Sequence, residues 1–253
     1  MIGVFDSGSG GLTVLRAMRD KLPSSDIVYF GDIKNAPYGS RSQEELSLLT
    51  IQALTFLQKR GARSIVSACN SVSASLALSL FDMFSIEPQH LIEMVGPTAS
   101  YFRGSTAKLA LCATPATIRS SVYQNAFRMI GKDVVYEPIP DLAGAIEFGG
   151  SESEMEAMIR AAFESVPSGS FDALILGCTH YPLIANVFKK VLGDDVVLFD
   201  PAIAVAERVE DLFWPREAGY GSMTFCISKD SDHFRGFVKR LFPNEKYTIE
   251  VVE

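Results

Sequence analysis

Two stretches of the chain are alike: SIVSACNS at residues 64–71 and ALILGCTH at residues 173–180. Each has a short apolar run typical of a buried strand, then a small residue, a cysteine and two polar residues that suit the start of a helix. Their cysteines, Cys69 and Cys178, lie about 109 residues apart, and a fixed offset of this kind is typical of an internal repeat. The two stretches predict two similar halves that each contribute one thiol.

The rest of the sequence alternates short apolar runs with longer amphipathic segments. Helical patterns such as Gln43–Arg60 and Ala202–Phe213 separate the runs, and this alternation favours parallel sheets covered by helices. The predicted strands are Ile2–Phe5, Ile27–Phe30, Ser64–Ser67, Leu91–Val95, Leu109–Cys112, Val134–Tyr136, Ala173–Leu176 and Val196–Phe199. Such sheets bind ligands beyond the carboxyl ends of their strands. We therefore expect an α/β fold of two pseudo-symmetric α/β domains with mainly parallel sheets and an active site in the cleft between them.

The predicted domain limits follow from where the two similar stretches fall. Residues 1–95 together with 207–253 are expected to form the domain that contributes Cys69. Residues 96–206 are expected to form the domain that contributes Cys178. The last strand, helix and strand of the chain are assigned to the first domain, which they complete.

Composition narrows the functional classes. The chain has 253 residues and a net charge of −7, so it lacks the basic surface expected of a nucleic-acid-binding protein. No apolar run approaches the ~20 residues needed to span a membrane, and the start of the sequence, MIGVFDSG, lacks the basic region of a secretory signal. A cytoplasmic location is therefore expected. The four cysteines include no CxxC pair, which favours free thiols and gives no support to a metal site.

Two thiols at matching strand ends have a specific chemical use. A thiol near a helix N-terminus loses its proton more easily because the helix dipole stabilises the thiolate. One thiolate can then remove a proton from one face of a stereocentre while the other thiol delivers a proton to the opposite face. The alternative is a buried, inert thiol, since cysteine is among the most buried residue types. We assign that alternative to Cys112 and Cys226, which lie inside apolar runs.

Two titratable residues are further candidates for the site. His180 follows Cys178 by two residues and can assist it as a base near neutral pH; a capping or core histidine is the alternative. Asp6 ends the first predicted strand, before Gly8–Gly11, where glycine backbone and a helix start can approach an anion. The glycines do not complete a G-x-G-x-x-G dinucleotide fingerprint. Asp6 is a candidate for binding a substrate ammonium or assisting Cys69, with a helix N-cap as the alternative.

Neutral hydrogen-bond donors lie close to several strand ends. Tyr38, Gly39 and Ser40 follow the second strand and offer hydroxyl and backbone N–H groups to a carboxylate, although an ordinary Pro-Gly turn explains the same residues. Other candidates, which helix capping alone would also place there, are Asn70, Ser71, Thr114, Thr117 and Thr179.

Taken together, the motifs resemble those of the glutamate racemase family. The matching stretches, in chain order, are Gly3–Gly8, Gly10–Leu15, Tyr29–Asp32, Pro37–Ser40, Ala68–Asn70, Leu176–Leu183 and Asp200–Pro201. The resemblance runs along nearly the whole chain. It implies an enzyme that interconverts L- and D-glutamate without pyridoxal phosphate or a metal, supplies D-glutamate for peptidoglycan synthesis and forms a homodimer.

The resemblance also implies roles for individual residues. Cys69 and Cys178 match the catalytic cysteines of the family, and its auxiliary acid residues correspond to Asp6, Glu147 and His180. The positions that match the family's substrate contacts are Asp6, Ser7, Tyr38, Gly39, Asn70, Ser71, Thr117, Thr179 and His180. Pro37, Ser40 and Thr114 are added to the expected substrate contacts.

Two departures from the family pattern are visible. Ser71 stands where threonine is usual, which keeps the hydroxyl and loses a methyl group. The stretch at residues 93–97 reads EMVGP instead of the usual GVIEP, so a glutamate is present at 93 and absent at 96, and this bears on dimerisation or regulation. The alternatives to a glutamate racemase are a two-cysteine racemase for aspartate or another amino acid, a non-catalytic amino-acid-binding protein and a thiol redox sensor.

Overall fold

The computed structural model describes residues 1–73, 84 and 86–252. Its strands are β1 (Ile2–Asp6), β2 (Ile27–Gly31), β3 (Ser64–Ser67), β4 (Leu91–Ile92), β5 (Leu109–Ala113), β6 (Val134–Pro138), β7 (Ala173–Gly177), β8 (Val197–Phe199), β9 (Met223–Ile227) and β10 (Thr248–Val251). Its α-helices are α1 (Leu12–Lys21), α2 (Gln43–Lys59), α3 (Asn70–Ser73), α4 (Val95–Tyr101), α5 (Pro115–Arg119), α6 (Val122–Met129), α7 (Leu142–Phe148), α8 (Glu152–Phe163), α9 (Ala185–Leu192), α10 (Ala202–Phe213) and α11 (Asp232–Leu241). Short 3₁₀ turns are Ile33–Asn35, Pro88–His90 and Tyr181–Ile184.

The described strands form two sheets. The six-stranded sheet has the order β10-β9-β2-β1-β3-β4, and the four-stranded sheet has the order β6-β5-β7-β8. All pairings between these strands are parallel. The predicted α/β class with mainly parallel sheets is confirmed.

Both sheets are covered by apolar layers, which explains why their central strands read as continuous apolar runs. β1 is buried at all five positions. One face of its sheet packs against α1 and α10 through side chains such as Leu15 and Val209, and the other packs against α2 through Leu57. Two predicted inert cysteines belong to these interiors: Cys112 lies in β5 and Cys226 in β9, both fully buried and both free thiols.

The strand predicted at Leu91–Val95 is wrong beyond its second residue. β4 ends at Ile92, and α4 begins at Val95. The carboxylate of Glu93 accepts hydrogen bonds from the backbone N–H groups of Val95 and Gly96, both at 2.6 Å. These amides have no partner within the first turn of a helix, so the Glu93 carboxylate stabilises a helix start where the apolar pattern predicts more strand.

The predicted domain limit between residues 206 and 207 falls inside α10. Ala202 and Val205 of this helix pack in the core of the six-stranded sheet, whereas Ala204 packs against the core of the four-stranded sheet. One helix therefore serves both halves, and the domain limits stay a prediction. Among the described residues, no helix is long and apolar enough to cross a membrane.

Candidate active site

Cys69 and Cys178 follow two interior strands of different sheets. Cys69 comes two residues after β3, and Cys178 comes directly after β7. Both are buried, with 4% and 5% of their surface exposed. Hydrogen bonds connect the neighbours of the two thiols: Ser7 Oγ is 3.9 Å from Cys69 Sγ, and the preceding residue, Asp6, accepts the hydroxyl of Thr179, the residue after Cys178, at 3.0 Å. The two stretches of the repeat thus meet through one buried network.

The Cys69 thiol is held in its protonated form. Burial raises its pKa most, and the neighbouring charges of Asp6 and Cys178 raise it further. A backbone N–H of Val72 and the hydroxyl of Ser7, 3.9 Å from Sγ, oppose the shift without cancelling it. The expectation that a helix start would lower this pKa is therefore wrong for Cys69, because burial of the thiol outweighs the stabilisation that the start of α3 gives to a thiolate.

Beside Cys178 lies a buried ion pair. His180 Nδ1 is 3.8 Å from Cys178 Sγ, and His180 Nε2 is 2.6 Å from Glu147 Oε2. Burial alone would lower the pKa of His180, but its hydrogen bonds with Cys178 and Glu147 raise it well above the ordinary value. The same pairing lowers the pKa of Glu147 although burial opposes this. The raised pKa favours the imidazolium form of His180, paired with the Glu147 carboxylate. The His180 side chain makes no helix-cap hydrogen bond, whereas the core alternative fits, since the ring is buried and both of its nitrogens have partners.

The Glu147 carboxylate also joins the two halves. Glu147 lies in α7, and its Oε2 accepts hydrogen bonds from the backbone N–H of Ser9 at 2.8 Å and from the Ser9 hydroxyl at 2.7 Å. Its other oxygen, Oε1, is buried and has no hydrogen-bond partner among the described residues. Ser9 was not among the predicted site residues, and only its place in the glycine loop could have indicated it.

Asp6 is a fully buried carboxylate at the end of β1. Its Oδ1 accepts the backbone N–H of Gly8 at 2.9 Å, and its Oδ2 accepts the hydroxyl of Thr179 at 3.0 Å. Burial raises the pKa of Asp6, while the nearby His180 cation lowers it. The N-cap alternative is not what the structure shows, since α1 starts after Gly11 without a side-chain cap.

The glycine loop packs against protein side chains. A Cβ on Gly8 would lie 2.6 Å from Glu147 Oε2, and a Cβ on Gly10 would lie 2.6 Å from Thr179 Oγ1. The glycines therefore permit a close approach of the loop to the other half of the molecule. The anions that the loop backbone approaches in the structure are protein carboxylates, since the N–H of Gly8 donates to Asp6 and that of Ser9 donates to Glu147.

Three hydroxyl groups meet where α3 faces α5. Ser71 Oγ is 2.9 Å from Thr114 Oγ1 and 3.4 Å from Thr117 Oγ1. Thr114 also caps α5, so capping and clustering are compatible at this position. Next to Ser71, the Oδ1 of Asn70 accepts the hydroxyl of Tyr123 at 2.5 Å, while its Nδ2 is buried without a partner among the described residues. The four predicted donors at 70, 71, 114 and 117 are thus brought together.

The loop after β2 is organised by Asp32, which the sequence analysis did not single out. Its carboxylate accepts hydrogen bonds from the Tyr38 hydroxyl at 2.6 Å, from the Asn35 side-chain amide at 2.9 and 3.0 Å, and from the Ser228 hydroxyl at 2.7 Å. Its position directly after β2 was the signal that could have found it. Burial and the charge of Asp32 raise the pKa of Tyr38. Its ring belongs to the same buried cluster as Cys69, so this phenol borders the thiol site.

Gly39 packs directly on the second half, whereas its neighbours are more open. A Cβ on Gly39 would lie 2.7 Å from the Thr114 side chain. Pro37 is half-buried and Ser40 is exposed. Together with Gly39 and Thr114 they line a cleft of about 220 Å³ that continues to residues 139–144. Of the predicted substrate contacts, Pro37 and Ser40 are thus the more exposed ones and line this cleft. No cluster of three or more metal-binding side chains occurs in the part of the chain that the structure describes.

The two parallel sheets, with a buried thiol after β3 of one and after β7 of the other, define an α/β protein of two similar halves. Comparison with known proteins makes the class specific. A family model described as Asp/Glu/Hydantoin racemase matches residues 3–209. The chain belongs to this family and is an amino-acid racemase.

Individual relatives support the same placement. A glutamate racemase of Thermoanaerobacter pseudethanolicus is 34% identical over 92% of this chain and 89% of its own, and one of Aquifex aeolicus is 33% identical over 99% and 98%. Among solved structures, a glutamate racemase isoform of Bacillus anthracis superposes with a TM-score of 0.87 at 28% identity, covering 100% of this chain and 97% of that one. The Francisella tularensis glutamate racemase in complex with D-glutamate has a TM-score of 0.84 at 28% identity, with the same coverage. An aspartate racemase of Picrophilus torridus, at 18% identity and a TM-score of 0.56 over 83% of this chain and 93% of that one, shares the fold alone.

Proposed function

We propose that the protein is a glutamate racemase that inverts the α-carbon by proton transfer between Cys69 and Cys178. The observation that carries the proposal is the burial of the two thiols, which come from opposite halves of the repeat and whose neighbours are joined by the hydrogen bond from Thr179 to Asp6. An inversion needs an acid and a base on opposite faces of one carbon. Two thiols supplied by two facing sheets meet that need.

The proposed reaction requires that one of the two cysteines is a thiolate while the other is a protonated thiol. In one direction Cys178 acts as thiolate and takes the α-proton, and the Cys69 thiol donates its proton to the opposite face of the carbanion. The protein then carries a thiol at Cys178 and a thiolate at Cys69, which is the starting state for the reverse reaction. The raised pKa of Cys69 keeps this thiol protonated in the free protein, which suits the donor role in this direction.

The buried ion pair supports proton transfer at Cys178. The His180 imidazolium, 3.8 Å from the sulfur, stabilises negative charge that develops there while a proton moves. Glu147 holds that imidazolium in place at 2.6 Å and keeps it protonated. Asp6 is assigned the corresponding place beside Cys69, with which it interacts electrostatically.

Substrate recognition is assigned to the polar groups around the thiols. Glutamate carries two carboxylates and one ammonium group. The Asp6 carboxylate suits the ammonium, and Ser7 follows Asp6 in the chain. The unpartnered Nδ2 of Asn70 and the hydroxyls of Ser71, Thr114 and Thr117 suit carboxylate oxygens, since they are neutral donors in a buried place. The remaining predicted contacts are Pro37, Tyr38, Gly39, Ser40, Thr179 and His180.

Glutamate is favoured over aspartate by the relatives. The relatives at 33–34% identity are named glutamate racemases, and the solved structure at a TM-score of 0.84 holds D-glutamate. We extend the proposal to the biological setting of the family, a cytoplasmic homodimer that supplies D-glutamate for peptidoglycan synthesis. Sedimentation of the purified protein tests the dimer, and a monomer at micromolar concentration would contradict it.

The deciding experiment follows the α-proton in deuterated water. With L- or D-glutamate as substrate, the wild-type protein should form the opposite enantiomer and place deuterium at its α-carbon. Cys69→Ala and Cys178→Ala should each lower racemisation by at least about a hundredfold, the usual contribution of a positioned acid or base. Cys226→Ala, a buried thiol in β9, is the matched control and should stay close to wild type.

Three results would overturn the proposal or a part of it. Full activity in either site variant would exclude the two-thiol mechanism. Fast racemisation of aspartate with negligible turnover of glutamate would keep the mechanism and replace the substrate. Binding of glutamate with no exchange of its α-proton would indicate a non-catalytic amino-acid-binding protein.

A further inference from the structure

One buried hydrogen bond connects a candidate substrate donor to a residue that no motif singled out. The hydroxyl of Tyr123 donates to Oδ1 of Asn70 at 2.5 Å. Asn70 opens α3 behind β3 of the six-stranded sheet, and Tyr123 lies in α6, which follows β5 of the four-stranded sheet. Tyr123 is 0% exposed and Asn70 is 2% exposed. The bond therefore crosses from one half of the molecule to the other within its interior.

This bond decides which way the Asn70 amide points. An amide has an acceptor oxygen on one side and a donor nitrogen on the other. Since Oδ1 is turned to the Tyr123 hydroxyl, the Nδ2 group faces away from it, and Nδ2 has no partner among the described residues. A buried donor without a partner costs free energy, so such a group indicates a place where a ligand supplies the acceptor.

Tyr123 is suited to hold this orientation. Its ring packs nearly parallel to that of Phe127, with centroids 6.2 Å apart and an interplanar angle of 21°. Burial raises the pKa of the phenol, and the carboxylates of Glu93 and Asp200 raise it further. The hydroxyl therefore keeps its proton across the accessible pH range and remains a donor.

We propose that Tyr123 is a positioning residue, which reaches across from the second half and orients the Asn70 amide so that Nδ2 donates to a substrate carboxylate. The inference rests on the proposed function for the identity of the substrate. It adds that Nδ2 of Asn70 is correctly oriented only while the two halves are packed together. The reason is that Oδ1 of the same amide is held by Tyr123, which belongs to the other half.

The first test removes only the hydroxyl. Tyr123→Phe should raise the Kd for D-glutamate, measured by calorimetry, and the KM for both enantiomers by about tenfold, the worth of a hydrogen bond to a charged group. The turnover number should change by less than about threefold, because the thiols are not touched. Phe127→Leu is the control for general disturbance of α6 and should lower the melting temperature with little change in KM.

A second test does not depend on the folding of Tyr123→Phe. Asn70→Asp keeps an acceptor for Tyr123 and replaces the Nδ2 donor by a second oxygen. It should weaken D-glutamate binding more than Asn70→Ala does, because it opposes an acceptor to a carboxylate. If Tyr123 acts through Asn70, adding Tyr123→Phe to Asn70→Ala should change KM by less than about twofold.

The outcomes separate this inference from the proposed function. Tyr123→Phe with unchanged Kd and KM, or Asn70→Asp that binds D-glutamate like wild type, would overturn the role of Tyr123 while glutamate racemisation by the wild type stands. A wild-type protein that neither binds nor racemises glutamate would instead overturn the proposed function.

Discussion

His180 Nε2 lies 2.6 Å from Oε2 of Glu147, and both side chains are almost fully buried, with 3% and 1% of their surface exposed. A pair of opposite charges in such a place depends on both partners. Removing one leaves the other as an uncompensated charge that cannot be solvated. The relationship therefore has consequences for stability as well as for the charge beside Cys178.

Glu147→Gln should lower the unfolding free energy by about 3 kcal/mol near pH 6, as expected when one partner of a buried pair is lost. The pKa of His180 is raised above its ordinary value of 6.5, so the stabilisation it brings is complete below that pH and is lost as pH rises through the raised pKa. The pKa of Glu147 is lowered below 4.5, so the stabilisation that its carboxylate contributes is present above that pH and is lost as pH falls through the lowered pKa.

Urea denaturation of the wild type and of Glu147→Gln, from pH 4 to pH 10, measures how the unfolding free energy of each depends on pH. The difference between wild type and Glu147→Gln should be largest around pH 5–6.5 and should shrink on the alkaline side. Glu152→Gln, which removes an exposed partner of Lys190, is the control and should change stability by less than about 1 kcal/mol. A difference that does not vary with pH would contradict the ion pair.

A second prediction concerns the ionisation of Cys69. Because the charge of Asp6 is the second largest cause of its raised pKa, after burial, Asp6→Asn should let the thiol ionise at lower pH. The thiolate absorbance at 240 nm, recorded during an alkaline titration in a Cys178→Ala background, reports the change. Asp200→Asn is the control, since Asp200 is a buried carboxylate whose pKa is raised to about 6 and which does not act on Cys69. Identical titration curves for the two variants would refute the coupling.

Features that follow from local pattern were predictable from the sequence. The parallel strands were visible because each is a short apolar run, and the thiols at 69 and 178 were visible because each follows such a run in a repeated pattern. The early end of β4 was not predictable from the sequence, since it depends on where the Glu93 carboxylate lies relative to the backbone amides of Val95 and Gly96.

Tertiary features of the site were harder to anticipate. The raised pKa of Cys69 comes mainly from burial, which a helix-start argument does not contain. The bond from Tyr123 to Asn70 joins residues 53 apart in sequence, and neither belongs to a pattern that indicates the other. Glu147 entered the predicted site only through the family resemblance, because its partner His180 is 33 residues away.

A third prediction concerns the close contact of Gly39 with Thr114. Gly39→Ala places a Cβ 2.7 Å from both Cβ and Cγ2 of Thr114, so one of the two segments must move. Overpacking of this kind typically costs about 1–3 kcal/mol. Because the contact joins the loop carrying Tyr38 to the hydroxyl cluster, we expect KM for glutamate to rise about tenfold as well. Gly104→Ala, with no atom within 4 Å of its Cβ, is the control, and equal KM values for the two variants would show that the contact has no role in binding.

The last prediction concerns Asp32, whose carboxylate accepts from the side chains of Asn35, Tyr38 and Ser228. Asp32→Ala leaves three donors without their acceptor, and the Tyr38 and Asn35 donors lie in the loop that borders Cys69. We expect the unfolding free energy to fall by about 2–3 kcal/mol and KM to rise about tenfold, since unpartnered buried donors are costly and the loop loses its anchor.

Asp26 offers a matched comparison for this variant. Its carboxylate also accepts several hydrogen bonds, from the backbone of Tyr220 and from the backbone and hydroxyl of Ser222, but these lie at the opposite end of the strands. Asp26→Ala should therefore lower stability in urea denaturation without changing KM. If both variants change KM equally, or if neither does, the Asp32 network is a structural element only. If KM rises for Asp32→Ala alone, the network holds Tyr38 in the position that substrate binding requires.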